Sequence, residues 1–380
     1  MTSTDGGRID SLTGLRFLAA GGVLLHHTLA PTIVVGGLAS VPGTRRFAVV
    51  GYVGVTVFFV LSGFVLAWSW DPRRTSGGFY ARRFARVWPL HALTWVLVCL
   101  FVLPVTGPDG PSAGQHAAGL GLVHAWIPSP RWYFAGNGPS WSLACEAFFY
   151  CMLPLMVPLL RRAGRRAAVT AIAVSTVLLV VVPVVVHAVS KDTYALLSLA
   201  VFPAYRIGEF VIGVTLGWAV RSGWRPAWTV RQAAVAAGLA YLAAAVLTGE
   251  VFFSAIRSER AFGNIYADAI VLLPVAGLIA ALAATDLAGH PTWLARPLPV
   301  LLGGVSFAFY LVHVSVIELA EELPIGMLRA ARGLPVLAAV VAIASVVAYL
   351  LHRFVERPTE AVLRRRITAW EAARQESHAS

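Results

Sequence analysis

Residues 11–28 read SLTGLRFLAAGGVLLHHT, an apolar stretch that carries Arg16 near its start and His27 near its end. At about 100° per residue, eleven steps return almost to the starting azimuth, so in a helix both side chains share one face, roughly 16 Å apart. An ionisable residue inside a membrane helix costs on the order of 2.5 to 3.5 kcal/mol on insertion scales, which marks it by default as functional. The alternative is that Arg16 extends to the membrane surface while His27 hydrogen-bonds to a neighbouring helix. The stretch alone leaves both interpretations open.

The composition of the whole chain is that of a membrane protein. Of its 380 residues, 58% are hydrophobic and 13% are charged, which is too apolar for a soluble protein of this length. We predict an all-α polytopic membrane protein with about ten transmembrane helices and both termini on one side. Each predicted span is near the roughly 20 residues that a bilayer crossing needs. The spans are 14–36, 51–70, 88–105, 141–160, 167–188, 197–220, 231–248, 265–285, 299–320 and 334–353.

The distribution of arginine orients the chain. Most basic residues lie in segments that share a side with the N-terminus, so the positive-inside rule predicts cytoplasmic N- and C-termini. Topology and anionic lipid then account for most of the net charge of +12, and nucleic acid is not an expected partner. We predict a multi-pass protein of the bacterial inner or plasma membrane. Its transmembrane domain covers 1–357, and 358–380 form a basic cytoplasmic tail.

A second polar cluster lies in residues 79–91, FYARRFARVWPLH, at the start of the third span. Arg82, Arg83 and Arg86 lie within one and a half helical turns, and Arg83 with Arg86 can present two guanidinium groups to one anion. Guanidinium groups match phosphate oxygens in a bidentate manner. The alternative is ordinary anchoring at the inner membrane surface.

Further polar residues interrupt later spans. Glu146 in NGPSWSLACEAFFY (137–150) is an intramembrane carboxylate that must pair, protonate or face water; it could orient an imidazole, bind a substrate hydroxyl or link two helices. Arg206 and Glu209, spaced i, i+3, can neutralise each other, and we favour a structural role for them. In SFAFYLVHVSVIE (306–318), Tyr310 and His313 lie toward related faces; His313 could share a cavity with His27 or be a hydrogen-bonded core residue. The three cysteines show no metal-like spacing, so no metal site is expected.

Taken together, six segments resemble motifs of the acyltransferase-3 family of integral membrane O-acyltransferases, in the family's order from about Leu12 to Pro358. The similarity is closest to the short macrolide 3-O-acyltransferase type. Any one motif is weak, but all six in register are specific. The segments are LTGLRFLAAGGVLLHH (12–27), GYVGVTVFFVLSGF (51–64), RRFARVWPLH (82–91), SWSLACEAFFY (140–150), SFAFYLVH (306–313) and VERP (355–358).

The resemblance implies transfer of an acyl group from a cytoplasmic acyl-CoA, acetyl-CoA being the expected donor, to a hydroxyl of a macrolide or sugar. It implies a co-substrate rather than a tightly bound cofactor, and membrane lipid as the surroundings. An envelope-glycan O-acetyltransferase is the alternative acceptor class, and a membrane transporter the alternative class of protein. The implied roles are catalysis by His27 and Glu146, acyl-CoA binding by Arg16, Arg82, Arg83 and Arg86, and cavity lining by Ser62, Trp141, Arg206, Glu209, Tyr310 and His313.

Overall fold

The computed structural model describes residues 8–29, 45–72, 75–106, 110–190, 194–252, 257–322 and 334–379. Within these ranges the regular secondary structure is entirely helical, which confirms the predicted all-α class. The longer elements are α1 (Asp10–Leu29), α2 (Gly54–Trp68), α3 (Ser76–Leu97), α4 (Ala113–Leu120), α5 (Trp141–Val189), α6 (Ala195–Val201), α7 (Pro203–Arg221), α8 (Val230–Phe252), α9 (Arg257–Leu287), α10 (Pro297–Glu322), α11 (Leu334–Leu351) and α12 (Arg357–Ala379).

By length and composition, seven helices of the described residues can cross a membrane, or up to eight if each bent pair is one span. The two predicted spans 141–160 and 167–188 share α5, which is interrupted at Gly164, a glycine with φ of 73°. The first predicted span extends to residue 36, and its last part lies outside the described residues. The number of ten spans and the cytoplasmic side of the termini stay predictions.

Large apolar side chains on the surface agree with a lipid environment. Leu155 and Leu159 on α5 are 67% and 66% exposed, and Val246 and Leu247 on α8 are 65% and 66% exposed. Water would leave these side chains without apolar contacts, whereas lipid tails supply them. These faces of α5 and α8 therefore suit contact with membrane lipid.

Close helix packing positions the site. A Cβ on Gly303 of α10 would lie 1.8 Å from the carbonyl oxygen of Thr13 on α1, and one on Gly63 of α2 would lie 2.3 Å from that of Phe210 on α7. Glycine lets these backbones touch, as is common where membrane helices cross. The helices α1 and α10 run side by side, as do α2 and α7. This packing places residues of α1, α2 and α10 around one space.

The C-terminal helix α12 packs against α3. It begins at Arg357, directly after a π-helical turn over His352–Glu356. Two glutamates of α12, Glu360 and Glu371, form ion pairs with arginines of α3. The helix α12 begins one residue before the predicted tail over 358–380, and the division into a domain over 1–357 and a tail stays a prediction.

Candidate active site

A cavity of about 110 Å³ lies between α1, α2, α3, α5 and α10. Its walls combine guanidinium, carboxylate, hydroxyl and aromatic groups, an unusual mixture for a space enclosed by apolar helices. The six predicted site residues that line it are Arg16, Ser62, Arg83, Arg86, Glu146 and Tyr310. They come from five of the six motifs, so the fold brings together most of what the motifs separate in sequence.

The cavity is elongated along the helices. Its lining on α2 runs from Val55 to Leu66, which at 1.5 Å per residue covers about 16 Å of helix axis. Beyond Leu66, Trp70 contacts Phe79, one turn before Arg83. Near the other extreme, the ring of Phe58 contacts that of Tyr310, with centroids 5.9 Å apart. We call the part next to Arg83 and Arg86 the cationic end, and the part at Phe58 and Tyr310 the aromatic end.

Two guanidinium groups in the cavity have no anionic partner among the described residues. Arg16 takes part in no hydrogen bond or ion pair there, although it lies close enough to Glu146 for an electrostatic interaction. The buried Nε of Arg83 has no hydrogen-bond partner, and its guanidinium lies 5.9 Å from the ring centre of Phe79. A buried donor without an acceptor is costly. Arg16 and Arg83 are therefore suited to receive an anion.

Arg86 and Arg82 are instead paired with acids of the C-terminal part of the chain. Arg86 lies 2.9 Å from a carboxylate oxygen of Glu356 and 2.7 Å from one of Glu360. Arg82 lies outside the cavity lining and donates to both carboxylate oxygens of Glu371, at 3.0 Å and 2.9 Å. Of the three arginines predicted to bind one anion together, the structure leaves only Arg83 without an acid.

Glu146 lines the cavity between its two ends. Its carboxylate accepts a hydrogen bond of 2.6 Å from the hydroxyl of Tyr150, one turn later on α5. The described contacts of His27 do not include Glu146. No described contact therefore supports the predicted orientation of the imidazole by this carboxylate. The carboxylate does lie close enough to Arg16 for an electrostatic interaction.

His27 lies beyond the aromatic end. Its Nδ1 is 3.0 Å from the carbonyl oxygen of Val23, one turn earlier on α1, and 3.3 Å from Nε2 of His313 on α10. Nδ1 of His313 is in turn 2.7 Å from the carbonyl oxygen of Tyr310. The ring of Tyr310 lines the cavity and is centred 5.6 Å from that of His313. The two histidines thus contact each other next to the cavity, and neither is among the residues that line it, although His313 is expected there.

These contacts assign the protons of the neutral histidine pair. A carbonyl oxygen only accepts, so Nδ1 of His313 carries the proton that it donates to Tyr310, and its Nε2 is an acceptor. Nδ1 of His27 likewise carries a proton, directed at Val23 and His313. Nε2 of His27 is then unprotonated, which is the state that a general base requires.

Arg206 and Glu209 belong to a buried network beside the cavity. Arg206 lies 2.6 Å from Asp268 and 3.3 Å from Glu209. Thr56 donates to Asp268 at 2.6 Å, and Trp141 lies with its ring centre 6.0 Å from the guanidinium of Arg206. Trp141, Arg206 and Glu209 therefore contact one another or Asp268 instead of lining this cavity, which agrees with the structural role favoured for the ion pair.

Sequence reasoning missed several members of these arrangements. Tyr150 follows Glu146 by one helical turn, a spacing that signals a hydrogen bond. Asp268 is a carboxylate inside the apolar stretch 265–285, the same signal that singled out Glu146. Glu360 and Glu371 lie in the segment predicted to be a basic cytoplasmic tail, and nothing in the local sequence indicates that they reach α3.

Comparison with known proteins assigns the class. The profile of the acyltransferase-3 family, an acyltransferase domain, matches residues 9–358. The chain belongs to the acyltransferase-3 family, which confirms the resemblance carried by the six motifs. Its enzyme class is therefore that of the acyltransferases.

Two individual proteins are similar to this chain in sequence. "Acyltransferase MdmB" from Streptomyces mycarofaciens is 33% identical over 377 residues, which cover 94% of this chain and 93% of that protein. "Protein 2 in picA locus" from Rhizobium radiobacter is 32% identical over 151 residues, covering 34% of this chain and 77% of that protein. No solved structure matches the chain.

Proposed function

We propose that this protein is an acyl-CoA dependent O-acyltransferase of the cell membrane that acylates a hydroxyl group of a macrolide or a sugar. The observation that carries the proposal is the elongated cavity with unpaired Arg16 and Arg83 in its walls and the His27–His313 pair directly beyond its aromatic end. Family membership supports acyl transfer, and the similarity to a protein named acyltransferase MdmB supports an acceptor from secondary metabolism.

The donor enters with its phosphates at the cationic end. Arg16 and Arg83 take phosphate oxygens, since guanidinium groups bind them in a bidentate manner and both lack an acid partner here. Glu146 holds Arg16 by charge without pairing it directly. The length of about 16 Å along α2 is comparable to the reach of a pantetheine arm. The thioester therefore arrives at the aromatic end, next to the histidine pair.

His27 then acts as the general base. Its unprotonated Nε2 removes the proton from the acceptor hydroxyl while that oxygen attacks the thioester carbonyl carbon. The bond between the carbonyl carbon and sulfur breaks, and the imidazolium returns the proton to the departing thiolate. His313 keeps the proton of His27 on Nδ1 throughout, because its own Nδ1 proton is directed at the carbonyl oxygen of Tyr310.

The test is acyl transfer in purified membranes. Labelled acetyl-CoA is incubated with macrolides bearing unacylated hydroxyls and, separately, with sugars, using the wild type, His27→Gln and His290→Gln. His290 is exposed in a loop, so its variant is the matched control. We expect labelled product from the wild type and the control, and a loss of at least about a hundredfold in His27→Gln.

Three other outcomes would contradict parts of the proposed function. Full transfer by His27→Gln would contradict the general-base role. Label appearing only in envelope glycan would favour the envelope-glycan O-acetyltransferase. Movement of a macrolide across the membrane by His27→Gln without acyl-CoA would favour a transporter.

A further inference from the structure

Two side chains from different helices meet at the aromatic end of the cavity. Phe58 of α2 and Tyr310 of α10 meet edge to face, with an interplanar angle of 68°. Tyr310 is buried, and its hydroxyl accepts a hydrogen bond of 3.0 Å from Ser142. The same hydroxyl donates to the carbonyl oxygen of Pro139 at 3.3 Å. Tyr310 is thus held from two sides, whereas the described contacts of Phe58 are apolar.

The aromatic end lies next to the histidine pair. Tyr310 joins the cavity to His313 through its backbone carbonyl, and His313 contacts His27. A donor whose phosphates bind Arg83 at the cationic end must place its other terminus, the acyl group, toward Phe58 and Tyr310. The orientation follows from the charge distribution, because the cavity offers guanidinium groups at one end and aromatic rings at the other.

We infer that Phe58, backed by the fixed ring of Tyr310, is the residue that limits the length of the transferred acyl group. This inference rests on the proposed function, since it takes the cavity as the donor site. An acetyl or propionyl group ends before the phenyl ring of Phe58. Each further methylene group meets that ring, which is held in place because it packs against buried apolar side chains of two clusters in the core. The enzyme therefore selects short acyl-CoA donors.

Replacing Phe58 by alanine removes the phenyl ring and extends the cavity by an apolar space. Burying two more methylene groups in such a space favours binding by roughly tenfold. We therefore expect the Phe58→Ala variant to bind butyryl-CoA at least about tenfold more tightly, relative to acetyl-CoA, than the wild type does. Phe58→Leu, a milder change, should give an intermediate ratio.

The experiment is competition binding on purified full-length protein in detergent, which needs no acceptor. Labelled acetyl-CoA is displaced by acetyl-, propionyl-, butyryl- and hexanoyl-CoA. The matched control is Phe307→Ala, which removes another phenyl ring from the cavity wall, one turn from Tyr310 toward the cationic end. Its ratio of butyryl- to acetyl-CoA affinity should stay that of the wild type.

The possible results separate the role of Phe58 from the assignment of the cavity as the donor site. A wild-type ratio in both Phe58→Ala and Phe58→Leu overturns the inference and leaves the donor site intact. An equal shift in Phe307→Ala also overturns it, since general widening would then explain the change. If Phe58→Ala does not fold, the ratio of Phe58→Leu alone decides. Failure of the wild type to bind any acyl-CoA overturns the proposed function itself, and the inference with it.

Discussion

Nδ1 of His27 on α1 lies 3.3 Å from Nε2 of His313 on α10, which links two residues 286 positions apart in the chain. The contact gives His313 the role of a positioning residue: it fixes the tautomer and the ring orientation of His27. Partners of this kind are common next to reactive histidines, since a base must present its lone pair in one direction.

Substituting His313 should therefore lower turnover and spare donor binding. In His313→Ala, the Nδ1 proton of His27 keeps only Val23 as acceptor, so the ring is less well oriented. We expect kcat to fall by about ten- to a hundredfold with KM for acetyl-CoA unchanged, measured by transfer of label to the acceptor. An unchanged kcat, or an increase in KM alone, would show that His313 only fills space.

Substituting Arg83 should affect donor binding. Arg83→Ala removes a guanidinium that has no acid partner, so we expect the apparent Kd for acetyl-CoA to rise about ten- to a hundredfold. Arg83→Lys should recover only part of the loss, because an ammonium group cannot bind phosphate in a bidentate manner. Arg161→Ala, at an exposed arginine of α5, is the control and should bind normally.

The ion pairs between α3 and the C-terminal part of the chain should differ in their contribution to stability. Arg86→Ala leaves Glu356, with a side chain only 1% exposed, with His352 as its one remaining described partner, and should lower the free energy of unfolding by about 3 kcal/mol. Glu371→Gln breaks the pair with Arg82, whose side chain is 11% exposed while that of Glu371 is 20% exposed, so both groups keep contact with solvent and the change should cost about 1 kcal/mol or less.

Thermal unfolding in detergent measures both variants. The double variant Arg86→Ala with Glu356→Gln should be more stable than Arg86→Ala alone, since the uncompensated carboxylate is gone. If Glu371→Gln proved the more destabilising substitution, the assignment of the stronger pair to Arg86 would be wrong.

The packing of α1 on α10 should be intolerant of a side chain at Gly303. A Cβ there would lie 1.8 Å from the carbonyl oxygen of Thr13, so Gly303→Ala must separate the two helices and with them His27 from His313. We expect a lower unfolding temperature together with loss of transfer. Gly238→Ala is the control, because a Cβ at Gly238 has no atom within 4 Å, and it should leave both properties unchanged.

Part of the loss of folded-state stability at acid pH should arise from a histidine in the connection between α4 and α5. Burial lowers the pKa of His124 from 6.5 to about 4, and its Nε2 lies 3.2 Å from the hydroxyl oxygen of Ser140. The folded state therefore binds fewer protons than the unfolded state between these pH values, and stability falls as the pH drops from 6.5 to about 4. His124→Gln should remove up to about 3 kcal/mol of this pH dependence. An identical pH profile in the variant, followed by thermal unfolding, would contradict the assignment.

Much of the fold and part of the site could be read from local patterns. Apolar length predicted the long helices that hold the site, whereas α4 and α12 lie outside the predicted spans. Isolated polar residues in the apolar stretches identified Arg16, His27 and Glu146. The pairing of Arg86 with Glu356 and Glu360, and of Arg82 with Glu371, could not be predicted, because these contacts join residues more than 250 positions apart. Local spacing carries no information on such distant partners.

The sequence by itself determined that the chain is an all-α protein of apolar helices, and its six motifs identified the acyltransferase-3 family. The tertiary structure decided which charges remain available. It pairs Arg82 and Arg86 with acids, encloses Arg206 with Asp268 and Glu209, and leaves Arg16 and Arg83 without an ion pair or hydrogen bond to an acid at the cavity. The physical reason is that the availability of a buried charge depends on what packs against it, and helix packing, not local sequence, sets those neighbours.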